Sequence, residues 1–326
     1  MATQAMFPAA PMGAGMYESF FLRAVSPQEP VGVWIRHTVH KPPGEQARGS
    51  VWCTVFDGRL GSPYMHKCSG GELRAPEGGW LAVGDSLIEH GRAQGECGEA
   101  RWSLSFASDH PELRHLDPAW LYRTPVPRTK LTSPAPHASF DGVLELAGRE
   151  PIELHGWPGM VGHNWGSQHA ERWIWLHGVA FGEDPRAWLD VAVGRVKLAG
   201  RTTPWRASGA IFFNGRRHRL GGVAARGTRV HDANQHGCSV ELAGAGGLKV
   251  RADVLVPPQT AAGWRYADPD GASHDVINCS IAALELTVTP RRRAPAVHMR
   301  SPHGGAYELG VRERDHGVPI APFPDG

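Results

Sequence analysis

Apolar and polar residues alternate with a period of two along most of the chain, and no stretch sustains the 3.6-residue repeat of an amphipathic helix. Over residues 101–106, Trp102, Leu104 and Phe106 alternate with Arg101, Ser103 and Ser105. Over residues 248–256, Leu248, Val250, Ala252, Val254 and Val256 alternate with Lys249, Arg251 and Asp253. Each pattern predicts a strand with one face turned inward. Similar runs predict strands at 18–23, 33–40, 51–56, 80–88, 143–146, 172–181, 188–196 and 276–289. Within 209–222 an apolar run ends at Asn214-Gly215, the dipeptide best suited to a two-residue hairpin turn. The GAGG stretch at 244–247 reads as a second hairpin loop.

About a dozen strands separated by Gly and Pro, with almost no helix, predict an all-β fold of two antiparallel barrels or sandwiches in tandem. The stretch RTPVPRTKLTSPAPHASF (123–140) lacks periodicity and reads as an extended linker. The expected organisation is a flexible lead-in over 1–15, a β-domain over 16–125, a linker over 126–140, a second β-domain over 141–312 and a loosely ordered tail over 313–326.

Composition narrows the function classes. A formal net charge of +2 over 326 residues gives no reason to expect nucleic acid as a partner. The basic run Arg291-Arg292-Arg293 lies between Pro290 and Pro295 and reads as a solvated turn. Five scattered cysteines without a C-x-x-C spacing argue against a disulfide framework or zinc ribbon and fit a reducing cytoplasm. The first residues lack the basic and apolar regions of a secretory signal. No run approaches the ~18 apolar residues of a membrane span. A soluble, cytoplasmic protein is expected.

The densest chemistry lies in GMVGHNWGSQHAERWIWLHG (159–178). If 172–181 is a strand, Trp173, Trp175 and His177 share one face, suited to lining a cavity for a bulky apolar ligand, or simply to filling a core. Glu171 has the parity of Trp173. A carboxylic acid against indoles has a raised pKa, the condition for a general acid at neutral pH, although a surface carboxylate is the commoner role. Glu18 shares a face with Phe20 and Leu22 and is a second acid candidate. His155, His163, His169 and His177 show no metal-binding spacing, and no metal or other cofactor is expected. Asn278 lies in an otherwise apolar strand, where it either ties down a loop or faces a polar part of a ligand. No nucleophile elbow, Walker loop or dinucleotide fingerprint is present.

The quartet His163-Asn164-Trp165-Gly166, followed by the Trp173-x-Trp175 strand, resembles the carotenoid hydratase / tocopherol cyclase group. ESFFLRA, VGVWIRHTVHKP and WCTVFDG are similar to the opening strands of bacterial members, so the resemblance spans residues 17 to about 310. It implies a two-domain, lipocalin-like β-architecture and a hydrophobic, isoprenoid- or polyketide-like ligand. Hydratase-like members and similar fungal Diels–Alderases carry an aspartate before the quartet. Gly162 stands there in this chain, and tocopherol cyclase lacks the aspartate too.

Two functions follow as expectations. One is a cofactor-independent enzyme that cyclises, hydrates or isomerises a double bond, or aligns a substrate for pericyclic closure. In that scheme Glu171 or Glu18 is the acid, and His163 and Asn164 orient it. Trp165, His169, Trp173, Trp175, His177 and Asn278 contact substrate, with indole faces stabilising a developing cation. The other is a lipocalin-like carrier of a lipid or terpenoid that needs no acid.

Overall fold

The central strands are buried on both faces, because each is covered on both sides. In the computed structural model, which describes residues 3–198, 200–222, 227–291 and 294–323, the strand Met16–Val25 is buried at all ten positions. Phe20, Leu22 and Ala24 enter one apolar core, together with Val33 and Ile35 of the next strand. Val25 and Trp34 point the other way, into a second core built mainly from residues after Ile174. Unbroken burial of this kind belongs to strands covered on both faces.

Two curled antiparallel sheets make up the fold, and among the described residues helix is limited to three short 3-10 turns. The first sheet has the order Tyr64–Ser69, Arg48–Asp57, Val31–Lys41, Met16–Val25, Ile152–Gly166, Thr129–Leu146, Ala100–Ala107, Arg92–Cys97, Ser86–Glu89, Gly79–Val83, Leu73–Arg74. It curls until Cys97 Sγ reaches the Val51 carbonyl (3.2 Å) and Tyr64 Oη the Cys97 carbonyl (3.1 Å). The second runs Arg216–Gly221, Arg206–Phe213, Trp188–Arg195, Arg172–Gly178, Val297–Val311, Ser273–Thr289, Lys249–Leu255, Gly237–Ala243, Arg229–Asn234. A bridge between Leu220 and Gly244 joins its two ends. The hairpin turn forms at Asn214 (φ 50°) and Gly215 (φ 74°), both positive as the turn type requires. No helix is long and apolar enough to cross a membrane.

Several expectations are corrected. Residues 126–140 are not a linker: Thr129–Leu146 is an 18-residue strand inside the first sheet. Its prolines mislead because Pro134 and Pro136 fall at register shifts, where the missing N–H groups are not needed for the ladder. The chain passes to the second sheet between Gly166 and Arg172. The run 80–88 is two strands separated at Gly84 (φ 58°), and the strand 172–181 ends at Gly178. The described part of the lead-in is anchored, since Lys41 Nζ donates to the carbonyls of Pro11, Met12 and Ala14 at 3.0, 2.8 and 2.7 Å. The tail is docked too: Ala321 N donates to Gly263 O (2.8 Å), and Phe323 packs on the second core. Residues 1–2 and 324–326, and Arg292 and Arg293 of the basic run, lie outside the described residues.

Two buried polar clusters bind the sheets together. Arg23 donates to His177 Nδ1 (2.7 Å) and to the carbonyls of Ser280 (2.8 Å) and Gly304 (3.2 Å). His177 Nε2–H donates to Pro136 O (3.0 Å), so the ring is neutral, and burial pushes its pKa down to about 3. In the second cluster Asp190 accepts from Trp175 Nε1 (3.0 Å) and Ser133 Oγ (2.5 Å), with His115 Nε2 3.4 Å away. His115 Nδ1 donates to Ser208 O (3.0 Å) and Nε2 to Ser133 Oγ (3.1 Å). The ring thereby links Ser208 and Ser133 beside the Asp190 carboxylate. Burial alone would raise the Asp190 pKa, but His115 and Ser133 hold it below the ordinary value. Although it contains Ser, His and Asp, this cluster is fully buried with His115 Nδ1 turned away from the acid, so it fastens the two sheets rather than forming a triad.

Candidate functional site

The His-Asn-Trp-Gly quartet closes the strand Ile152–Gly166 against Met16–Val25, pairing His163 with Phe20, Asn164 with Ser19 and Trp165 with Glu18. Ser19 Oγ donates to Asn164 Oδ1 (2.9 Å). His163 Nε2 donates to Glu18 Oε1 (2.7 Å), and its ring stacks between Phe20 (3.9 Å) and Trp165 (4.5 Å). Glu18, fully buried, also accepts from the backbone N–H groups of Met6 and Phe7 at 2.7–3.0 Å. The second acid candidate is thus saturated with donors and anchors the start of the chain.

Glu171 does not face the tryptophans. It precedes the strand and pairs with Arg312 Nε at 3.1 Å. It therefore lacks the apolar wall expected of a general acid. Trp175 and His177 do share a face, but that face packs on the first sheet. Trp175 sits edge-on to Phe21 (5.4 Å, 84°), and His177 is locked between Arg23 and Pro136. Gly162 has a physical role here: a Cβ on it would lie 2.2 Å from the Phe21 ring. The volume an acidic side chain would need is taken by that phenyl group.

The groups left open gather elsewhere between the two sheets, around a cavity of about 30 Å³ lined by Tyr17, Arg36, Thr38, His40, Trp52, His169 and Tyr266, with Glu18, Val39 and Ala267. His169 follows the quartet in the short crossing between sheets. Its ring is held between Tyr17 (3.9 Å, 14° between planes) and Trp173 (5.4 Å, 20°). Ring Nδ1 donates to Asp268 Oδ1 at 2.7 Å, and the backbone N–H of His169 donates to the same oxygen, also at 2.7 Å. Nε2 is buried and has no partner. Burial would raise the Asp268 pKa, but the hydrogen bond and charge of His169 bring it below the ordinary carboxylate value. The pair is a histidine–carboxylate dyad: the acid fixes the tautomer, and the far nitrogen is free to accept or give a proton.

Around the dyad the polar atoms are mostly spoken for. Glu308 accepts from Trp173 Nε1 (2.8 Å), Tyr266 Oη (3.2 Å) and Asn278 Nδ2 (3.4 Å), so Asn278 ties the wall together while its own Oδ1 stays unpartnered. Tyr17 Oη donates to Thr129 Oγ1 (2.8 Å), which in turn donates to Gln168 O (2.7 Å). Burial raises the pKa of both Tyr17 and Tyr266, keeping the phenols protonated. His169, Asp268 and His274 could also supply a metal with three ligand atoms, within 4.8 Å of one another. Burial first, then His169, Arg312 and Arg314, push the His274 pKa down to about 4.

Of the residues singled out from sequence, His169, Trp173 and Asn278 meet at this site. Glu18, His163, Asn164 and Trp165 form the neighbouring anchor, Trp175 and His177 the inter-sheet contact, and Glu171 a half-exposed ion pair. Asp268, Arg36, Tyr17, Tyr266 and Glu308 were not anticipated. Asp268 belongs to ADPDG, which forms a turn with Gly271 N donating to Asp268 O (2.9 Å).

The fold is that of tandem lipocalin-like β-barrel proteins. A Nitrosomonas europaea protein provisionally named AttH superposes with a TM-score of 0.55 at 14% identity, over 96% of this chain and 98% of that one. CghA with Sch210972 gives 0.60 at 13% identity, over 91% and 89%. Kievitone hydratase from Nectria haematococca gives 0.52 at 10% identity, over 95% and 96%. At these identities the likeness is one of fold. No protein-family model and no curated protein sequence matches the chain.

Proposed function

We propose that the chain is a cofactor-independent enzyme that moves a proton to or from an unsaturated carbon of a hydrophobic, prenylated or polyketide-like molecule, as a hydratase, cyclase or isomerase must. The observation that carries this is His169, its Nδ1 fixed by Asp268 and its buried Nε2 open beside a cavity. Nε2–H is the acid and, after transfer, the base that recovers the proton once water or an internal nucleophile has added. Asp268 stabilises the imidazolium form, as a buried carboxylate does for a general acid–base histidine. His169 thereby takes the part expected of Glu171 or Glu18. The stacked rings of Tyr17 and Trp173 hold the imidazole in place and shield it from bulk water.

The similarity in fold to a kievitone hydratase supports this reading, although fold alone does not assign chemistry. A carrier would use the same interface, because the inward side chains of each barrel form a continuous apolar core. Deuterium transfer from D2O to an unsaturated substrate, compared between the native chain and His169→Gln, separates enzyme from carrier.

A further inference from the structure

Arg36 is the one feature of this cavity that proton transfer by His169 does not explain. Its side chain is only 5% exposed, yet among the described residues no carboxylate lies within the 4.0 Å that defines an ion pair, and Nε has no hydrogen-bond partner. A guanidinium taken out of water costs several kcal/mol unless it is paired. Here it rests on ring faces, 4.0 Å from the Tyr266 centroid and 5.5 Å from that of Trp52. The carboxylates nearby have other partners: Asp268 Oδ1 holds His169, Glu308 accepts from Trp173, Tyr266 and Asn278, and Glu18 accepts from Met6, Phe7 and His163.

The remaining polar atoms point to one kind of ligand. Trp52 Nε1 is used on Thr38 Oγ1 (2.9 Å), and the two phenols donate to Thr129 and Glu308. Among the atoms that stay open are the Arg36 guanidinium, Nε2 of His169, Oδ1 of Asn278 and Oδ2 of Asp268, and of these only Arg36 carries a fixed positive charge. A ligand seated here has to bring acceptor oxygen and, opposite an unpaired guanidinium, negative charge. The same arrangement works against a carbocation. Permanent cations already occupy both faces it would need, Arg36 over Tyr266 and Trp52 and Lys67 over Trp52 at 4.3 Å.

Building on the acid–base reading of His169, we propose that the cavity seats the oxyanion of an acidic or enolisable head group, a carboxylate or the enolate of an unsaturated carbonyl compound, with Arg36 as its charge partner. The apolar remainder of the molecule extends out of the cavity, whose volume of about 30 Å³ suits a head group and not a whole substrate. Proton transfer from His169 then runs through an anion. Charge that develops on oxygen when a nucleophile adds to the conjugated double bond is held by Arg36, while Nε2–H delivers its proton to the adjacent carbon. The bond to the nucleophile and the C–H bond form as the C=C bond is consumed, so atoms and electrons balance with no outside oxidant or reductant.

The probe is sorbate, a slim unsaturated carboxylate, compared with its neutral isostere sorbamide by titration of the native chain. The expected result is a preference for sorbate of about tenfold or more. Arg36→Met abolishes it, and Arg36→Lys keeps part of it. Binding is measured without turnover, so this outcome is distinguishable from that of the acid–base reading. Equal binding of the two ligands, binding of neither, or a preference that survives in Arg36→Met overturns the proposal. If Arg36→Met does not fold, phenylglyoxal modification of Arg36 in the native chain takes its place. Protection by sorbate but not sorbamide supports the seat, and absence of protection overturns it.

Discussion

His169 is bound to Asp268 twice, through ring Nδ1 and through its own backbone nitrogen, each at 2.7 Å to the same oxygen. The double contact fixes both the rotamer of the ring and the position of the proton on it. It also spans the fold, because His169 lies where the chain leaves the first sheet and Asp268 sits in a turn of the second.

Asp268→Asn should leave the fold intact and impair the chemistry. An amide can accept the backbone N–H, but it does not stabilise imidazolium or insist on the Nδ1–H tautomer. Nitrogen-15 NMR of the ring should show Nδ1–H in the native chain and a mixture of tautomers in the variant. Proton transfer should fall by about a hundredfold or more. An unchanged tautomer together with an unchanged rate would remove Asp268 from the site.

Restoring an acid at position 162 should destabilise the protein without creating a second active centre. The Cβ of Gly162→Asp would lie 2.2 Å from the Phe21 ring, and the carboxylate would enter the contact between Phe21 and Trp175. Overpacking and burial of a charge together cost about 3 kcal/mol. Denaturant unfolding should show that loss, and adding Phe21→Ala should recover part of it.

Glu18→Ala should release the start of the chain. Three donors, Met6 N, Phe7 N and His163 Nε2, lose their acceptor, at a cost of about 2–4 kcal/mol. Hydrogen exchange at Met6 and Phe7 should accelerate and protease should cut before Tyr17. Unchanged protection at both amides would show that the carboxylate is not the anchor.

Stability should fall as pH drops below about 6.5, the ordinary histidine value. Burial lowers the pKa of His37 and His177 to about 3, and burial followed by neighbouring positive charge lowers His137 and His274 to about 4. Between those values and 6.5 the unfolded chain binds protons that the folded chain does not. Stability therefore rises with pH across this window, by up to ~1.4 kcal/mol per pH unit for each histidine. Thermal melts from pH 7 to pH 4 should show a steady loss of midpoint. A flat profile would contradict the burial of these rings as neutral groups.

The all-β architecture was legible in the sequence because period-two alternation is a local property. Strands such as Ala100–Ala107 show one face buried and one exposed, residue by residue. The prolines of Thr129–Leu146 concealed a strand because register shifts, which depend on the partner strand, decide whether a missing N–H matters. Parity placed Trp173, Trp175 and His177 on one face correctly, but what that face meets is a tertiary fact. It meets the first sheet, and only Trp173 reaches the cavity margin. The dyad was half visible, since His169 stood in the dense segment while its partner lay 99 residues away in a turn. Arg36 was hidden by the strand it occupies, where alternation alone cannot tell a cation facing solvent from one buried against a second sheet.

The central claim is that His169 transfers a proton to carbon. The most direct measurement is deuterium incorporation from D2O into an unsaturated, hydrophobic acid or enone, followed by mass spectrometry in the native chain and in His169→Gln. The account predicts enzyme-dependent incorporation in the native chain that drops to the uncatalysed rate in the variant. Incorporation at the same rate in both proteins would contradict it.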